Sequence, residues 1–354
     1  MGCQQSHGAV VSESVPLPLD RSSTDINEDA AYSPRDPWLE IPFDRTGVSR
    51  FPTDVNMSDL DIEEHIANGA FCAVYAARYG RLRVAVKVPM NSCPYPGEAI
   101  AGVLNEKEVL KRIDHVHLIS CYGAGMNCKT PFLVLEMLHR ETLADMCGTA
   151  APREDSVYAR VQRKSVRTRL PFVRRLHLAK ELASALQYLH EEAIPGGVII
   201  HRDLKPKNIG ISRHGEHIKL FDLGLAKVLD ENQKLECGNY KLTGETGSQR
   251  YMAPEVFLKE PYNEKADIYS LGLIIWELLT LKQPYMELST VEHIGKVVNG
   301  GQRPHLDKRW PTGLHLLLRE SWKAEANQRS KASTLVSQLE HMEQTIDKSS
   351  VRNL

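Results

Sequence analysis

The spacing of apolar positions changes period along this chain. Residues 74–78 and 83–88 are short β-rich runs, and residues 132–136 are a third; each predicts a strand. Between them, residues 105–110 read as helical. Beyond residue 137 the three- and four-residue spacing of a helix takes over. Phe172, Leu176, Ala179, Ala183, Leu186 and His190 fall on one face and predict a long buried helix. Residues 266–277 are mostly apolar and predict a second. Residues 1–57 are rich in Ser, Pro and Asp and keep no period, so most of this segment is expected to be disordered. Trp38, Ile41 and Phe43 offer a local docking contact within it, against the plainer reading of a flexible linker. Order is expected from near Leu60. Residues 345–354 are a polar tail expected to fray. No internal repeat is visible.

Composition adds little beyond a class. The 354 residues are 42% hydrophobic and 25% charged, enough to bury a core, and longer than one average domain. A formal net charge of −1 gives no field that would favour nucleic acid, and no nucleic-acid partner is expected. Cys3, Cys72, Cys93, Cys121, Cys128, Cys147 and Cys237 are odd in number and scattered, with no secretory signal before them. They predict free thiols in a reducing cytosol. Cys121 and Cys128 lack the nearby Cys or His partners of a zinc site. No apolar run is long enough to span a bilayer.

The chemistry is concentrated in His201-Arg202-Asp203-Leu204-Lys205-Pro206-Lys207-Asn208 and, further on, Phe221-Asp222-Leu223-Gly224. Two carboxylates, an ammonium and an amide are what phosphoryl transfer requires: one group to take the acceptor's proton, hard oxygen ligands for Mg²⁺, and a cation near the transferred phosphate. The first run resembles the catalytic loop of eukaryotic protein kinases, and Asp-Leu-Gly resembles their Asp-Phe-Gly motif. Val84-Ala85-Val86-Lys87, Glu106 and Ala253-Pro254-Glu255 fall in the family's order. The resemblance implies an α+β, two-lobed kinase fold over 58–344. Its β-rich N-lobe would be 58–136 and its mainly helical C-lobe 137–344.

The family's roles carry over residue by residue. Lys87 would position the ATP phosphates and Glu106 would hold Lys87. Asp203 would be the base, Lys205 would steady the γ-phosphate, and Asn208 and Asp222 would bind Mg²⁺. Ile66, Gly69, Val74, Ala85, Leu135, Glu136 and Met137 would line the ATP pocket, with Leu135 as gatekeeper. Asp267 would brace the catalytic-loop backbone, and Arg329 would pair with Glu255.

The chain departs from the family at several points. Of the glycine-rich loop only Gly69 remains, in Ala67-Asn68-Gly69-Ala70-Phe71-Cys72. Leu223 replaces the phenylalanine of Asp-Phe-Gly. Gly210 stands where a leucine usually floors the adenine, which predicts a wider pocket and tighter ATP binding in Gly210→Leu. Lys205 matches Ser/Thr kinases. Residues 244–255 resemble the tyrosine-kinase-like, mixed-lineage and Raf-like group, and Gly301-Gln302-Arg303-Pro304 is a weaker sign of it. The expected function is ATP-dependent phosphorylation of Ser and Thr in protein substrates, in intracellular signalling. The alternative is a pseudokinase, a scaffold without turnover. Ser248 would contact Asp203 and Lys205. Thr243 and Thr246 are candidate regulatory phosphosites near Arg202, against an unmodified polar loop.

Met1-Gly2-Cys3-Gln4-Gln5-Ser6 fits the myristoylation pattern, with Cys3 a candidate palmitate acceptor. The expected location is cytoplasmic, with candidate anchoring to the cytoplasmic face of a membrane; an unmodified start is the alternative. Arg153, Arg160, Arg163, Lys164, Arg167, Arg169, Arg174 and Arg175 read as a solvated basic loop, or else as a patch for a partner or anionic lipid.

Overall fold

The computed structural model describes residues 54–346 apart from 91, 140, 151–165, 167–169, 214 and 216. The acylation candidates Gly2 and Cys3 and the docking candidates Trp38, Ile41 and Phe43 lie outside the described residues.

Five antiparallel strands open the described chain: β1 (Leu60–Asn68), β2 (Cys72–Tyr79), β3 (Leu82–Pro89), β4 (Cys121–Asn127) and β5 (Thr130–Glu136), in the order β1-β2-β3-β5-β4. Each of the three expected strands extends by one or a few residues, because pairing with neighbours continues past the β-rich run. The two-residue period sorts β3 by face. Val84 and Val86 join Val55, Leu60, Ala77, Phe132 and Val134 in one cluster. Ala85 faces the other way and joins the main core with Val103, Val109 and Leu133. Lys87 shares the face of Ala85, so it is directed toward helix α1 (Pro96–Leu110) and not toward solvent. Pro96 starts that helix at the one turn where a missing N–H costs nothing. Val55 is buried, and its N–H donates to Ala124 O at 3.0 Å, so packing begins several residues before the expected start near Leu60.

The remainder is mainly helical: α2 (Leu143–Cys147), α3 (Phe172–Gln187), α4 (Pro254–Phe257), α5 (Lys265–Thr280), α6 (Thr290–Glu292), α7 (Thr312–Ser321) and α8 (Ala332–Thr345). Helix α5 is buried on every side except at Trp276 and Thr280, as its nearly continuous apolar sequence requires. At Gly272 a Cβ would stand 2.7 Å from Ser321 Cβ, so the glycine permits α7 to lie directly on α5. Helix α3 buries Phe172, Leu176, Ala179, Ala183 and Leu186, the predicted face.

The basic stretch departs from its reading as a solvated loop. Arg174 and Arg175 lie inside α3, and Arg175 is 1% exposed. Its guanidinium sits 5.3 Å over the Phe172 ring and donates to Leu279 O near the end of α5. Position 175 is three residues after Phe172 and four before Ala179, so the helix period turns it inward whatever its charge. Arg175 therefore has no part in a lipid patch; the six members before Arg174 lie outside the described residues.

Two small two-stranded sheets hold the chemistry. Strand β6 (Gly197–Ile200) pairs with β9 (Lys227–Asp230), and β7 (Ile209–Ile211) pairs with β8 (Ile218–Leu220). The segment 201–208 links β6 to β7, and 221–226 links β8 to β9. Because Ile209 pairs with Leu220, Asn208 and Phe221 become neighbours, and Phe221 N–H donates to Asn208 O at 3.0 Å. That register sets the two carboxylate-bearing loops side by side. The described cysteines are all free thiols. Among the described residues no helix is long and apolar enough to cross a membrane.

Candidate active site

Lys87 on β3 reaches Glu106 Oε2 at 2.6 Å and Asp222 Oδ1 at 2.7 Å. Glu106 is 1% exposed, and its other oxygen accepts the Leu223 N–H at 3.2 Å. One side chain of α1 thereby ties β3 to the Asp-Leu-Gly segment. Burial alone would lower the Lys87 pKa, but Glu106 and Asp222 outweigh it and hold the ammonium well above the ordinary lysine range. Burial pushes Glu106 upward against the pull of Lys87. For Asp222 burial works upward, but Lys87 prevails and holds its carboxyl below the usual range.

The second cluster centres on Asp203. Ser248 Oγ donates to Oδ1 at 2.8 Å, and Lys205 Nζ and Asn208 Nδ2 donate to Oδ2 at 2.6 and 3.1 Å. Asn208 Nδ2 also donates to Asp203 O at 2.9 Å. This fixes the amide with its nitrogen on Asp203 and leaves its oxygen free as a ligand. Behind the loop, Asp267 accepts the N–H groups of His201 and Arg202 at 2.8 and 2.9 Å and contacts His190 Nε2 at 2.9 Å. Arg202 and Asp222 take left-handed backbone, with φ of 71° and 66°. Four groups over-determine these two turns: the Asp267 clamp, the two small sheets, Lys87 and Glu106.

Oxygen donors from Asn208 and Asp222 suit a hard divalent cation, so this pair fits Mg²⁺. Arg202 reaches Thr243 Oγ1 and O, the latter at 3.1 Å, and Thr246 Oγ1 at 3.0 Å. Thr243 is exposed and Thr246 half-buried. Arg329 and Glu255 form a bidentate pair at 2.6 and 2.9 Å.

Around the adenine position, Ala85 pairs in register with Leu135, and both are buried. Val74, Glu136 and Met137 are half-buried, and Ile66 is exposed. The Glu136 carboxylate turns away to accept Ser120 N–H at 2.8 Å and to pair with Lys219 at 2.9 Å. The turn between β1 and β2 closes with Gly69 N–H donating to Cys72 O at 2.7 Å, so one surviving glycine is enough for the reversal.

The wide pocket expected from Gly210 is overturned. A Cβ at 210 would stand 2.5 Å from Leu138 Cδ1 and 3.3 Å from Phe221 Cε1. Leu138 already fills the space that the missing side chain leaves. The sequence carried this only as an apolar residue just past the predicted pocket wall. Asn105 is the other residue the motifs did not mark. Its amide donates to Gly224 O at 3.0 Å and Ala226 O at 2.9 Å, so it fastens α1 to the segment after Asp222 beside the Glu106 contact.

Three relatives share this architecture in sequence. The chain is 31% identical over 292 residues to the RGS domain-containing serine/threonine-protein kinase A of Dictyostelium discoideum, covering 81% of this chain and 23% of that one. It is 30% identical over 297 residues to the serine/threonine-protein kinase VIK of Arabidopsis thaliana, covering 83% and 63%. It is 27% identical over 293 residues to the human mitogen-activated protein kinase kinase kinase 7, covering 82% and 43%. The chain thus spans less than two thirds of the length of each. The family model described as protein tyrosine and serine/threonine kinase matches residues 60–339, from the first residue of β1 into α8. A match that runs through every element holding Lys87, Asp203 and Asp222 makes this chain a member of the protein kinase family.

Proposed function

We propose that this chain transfers the γ-phosphate of ATP to serine and threonine hydroxyls of protein substrates. One observation carries the reading: the Asp203 carboxylate is held by Ser248, Lys205 and Asn208, with Asp222 and the Lys87–Glu106 pair on the adjoining loop and strand. Asp203 orients the acceptor hydroxyl and takes its proton as the oxygen bonds to the γ-phosphorus and the bond from that phosphorus to the departing ADP breaks. Lys205 offsets charge on the transferred group. Lys87, kept cationic by its two carboxylates, binds the α- and β-phosphates. Asn208 and Asp222 would hold Mg²⁺, which when bound neutralises phosphate charge. Lys205, two residues after Asp203, and the Ser248 contact to Asp203 favour serine and threonine as acceptors. The intact set of Lys87, Asp203, Asn208 and Asp222 weighs against the pseudokinase alternative. The kinase unit is assigned to residues 58–344, and protein substrates are its partners.

Regulation follows from Arg202. A phosphate on Thr243 or Thr246 would replace a neutral hydroxyl contact with a charge-assisted one. Thr243, the more exposed, is the better acceptor. Incubating the purified chain with Mg²⁺-ATP and mapping its phosphates by mass spectrometry is expected to give phosphoserine and phosphothreonine, with Thr243 modified first. Dominant phosphotyrosine, or nucleotide binding with no transfer, would overturn the assignment. Acylation at Gly2 and Cys3, which would bring the kinase to a membrane surface, is supported by the sequence motif alone.

Leu138 gives a separate prediction for the ATP pocket. Gly210→Leu is expected to weaken ATP binding by up to about tenfold, roughly 1.4 kcal/mol, because the new side chain must displace Leu138. Adding Leu138→Ala to it should restore affinity. Isothermal titration with Mg²⁺-ATP decides, and tighter binding by Gly210→Leu alone would show that the space is open.

A further inference from the structure

We propose that His117, Glu181 and His217 form a binding site for a divalent transition-metal ion of the zinc class. The site lies at the turn end of the β7–β8 hairpin, whose other end leads to Asn208 and Asp222, and it shares no residue with the Asp203 cluster. His117 belongs to the segment between α1 and β4, Glu181 to α3, and His217 to the turn just before β8. Each brings one ligand atom within 4.8 Å of the others. Ligands at 2.0–2.1 Å round a tetrahedral ion lie about 3.3 Å apart, so small side-chain rotations close the set.

Three features set this apart from an ordinary polar cluster. Glu181 is 3% exposed, and among the described residues no ammonium or guanidinium bonds it; its partners are imidazoles and one backbone N–H. A buried carboxylate so placed is incompletely compensated, and a dication would remedy that. Second, His117 Nδ1 is buried and has no hydrogen-bond partner among the described residues, so it is available to a cation.

Third, the surrounding groups are arranged as supports for ligands. The Ile218 N–H holds Glu181 Oε2 at 3.0 Å, which leaves Oε1 toward the histidines. His217 Nδ1 reaches that oxygen at 2.7 Å and His177 Nε2 at 3.2 Å. His177 Nδ1 in turn contacts Glu343 Oε1 at 2.9 Å, and Lys180 secures Glu343. Chains of this kind orient metal-binding side chains. Two imidazoles and one carboxylate favour Zn²⁺, Co²⁺ or Ni²⁺ over Mg²⁺ and Ca²⁺, and water completes the shell at this half-exposed position. The ion would staple the segment leaving α1, the helix of Glu106, to α3 and the β7–β8 hairpin.

The test uses the full chain, free of any purification tag and stripped with EDTA. Zn²⁺ is titrated in competition with a chromophoric chelator, and Co²⁺ is titrated through its visible d–d absorption. One ion is expected to bind at micromolar concentration or below and to raise the unfolding midpoint. His117→Gln and His217→Gln should each weaken it at least about tenfold and abolish the thermal shift, with unchanged circular dichroism in EDTA. Asp222→Asn, which removes an oxygen donor proposed for Mg²⁺ at the ATP site, should bind Zn²⁺ as wild type does. Equal binding by both histidine variants, or loss of the ion in Asp222→Asn alone, would overturn the proposal.

Discussion

Asp203→Asn is expected to lower phosphoryl transfer by at least about 10²- to 10⁴-fold while ATP affinity stays within about threefold. Both Asp203 oxygens are taken by donors from the protein, Ser248, Lys205 and Asn208, and none contacts Lys87 or Asp222. Lys87 and Asp222, expected to hold the nucleotide, therefore keep their arrangement when Asp203 loses its negative charge. The amide is nearly isosteric, and it can turn its oxygen to Lys205 and its nitrogen to Ser248 Oγ, so the loop should fold as before. What is lost is a group able to take the acceptor's proton. Asp222→Asn is the contrasting case. It removes the anion that Lys87 contacts at 2.7 Å and an oxygen donor proposed for Mg²⁺, so it should weaken Mg²⁺-ATP binding as well as transfer. Single-turnover transfer from γ-labelled ATP, together with nucleotide titration of each variant, separates the two. An Asp203→Asn protein that turns over within threefold of wild type would refute the assignment of the base.

The contrast between these two residues shows which parts of the site were legible in sequence. Phosphoryl transfer restricts residue type at each working position, so Lys87, Glu106, Asp203, Asn208 and Asp222 announce themselves by identity and order. Strands β2, β3 and β5 and the buried face of α3 were legible because burial enforces a period, and α5 because its apolar run is nearly continuous; β1 and β4 were not expected. What was not legible depends on distant parts of the chain meeting. Leu138 fills the space above Gly210, and nothing local to either position says so. Asn105 precedes Glu106, but its value lies in the carbonyls of Gly224 and Ala226, which only the two folded small sheets bring near. Val55 falls in a segment whose composition reads as linker, yet its N–H finds Ala124 O and its side chain joins the sheet core. Arg175 is different, since its position was legible and only its charge misled. The period of α3 places it inward, and the Phe172 ring and the Leu279 carbonyl make a buried guanidinium tolerable there.

Arg329→Met should produce the largest loss of stability of any single change away from the catalytic groups. Arg329 is 2% exposed, and its guanidinium is fully used. It donates to Glu255 at 2.6 and 2.9 Å and to the backbone oxygens of Lys265, Lys323 and Ala324 at 3.0, 2.9 and 3.4 Å, and it lies 5.1 Å from the Tyr269 ring. One side chain thus joins α4, the start of α5 and the turn before α8. Methionine fills much of the volume but strands a buried carboxylate and three carbonyls without their donor. Breaking a buried pair in this way costs about 3–5 kcal/mol, on the order of 10 °C in unfolding midpoint for a unit of this size. An apolar replacement of both partners, Glu255→Leu with Arg329→Met, should recover part of that loss. It should not recover all of it, because the carbonyls remain unpaired. The exposed pair Lys259–Glu245 serves as a control, and Lys259→Ala should scarcely move the midpoint. Differential scanning calorimetry of the four proteins is the measurement. If Arg329→Met unfolded within about 2 °C of wild type, the buried pair could not be what fastens α4 to α5. The double variant would then show no recovery, since there would be no stranded charge for it to remove.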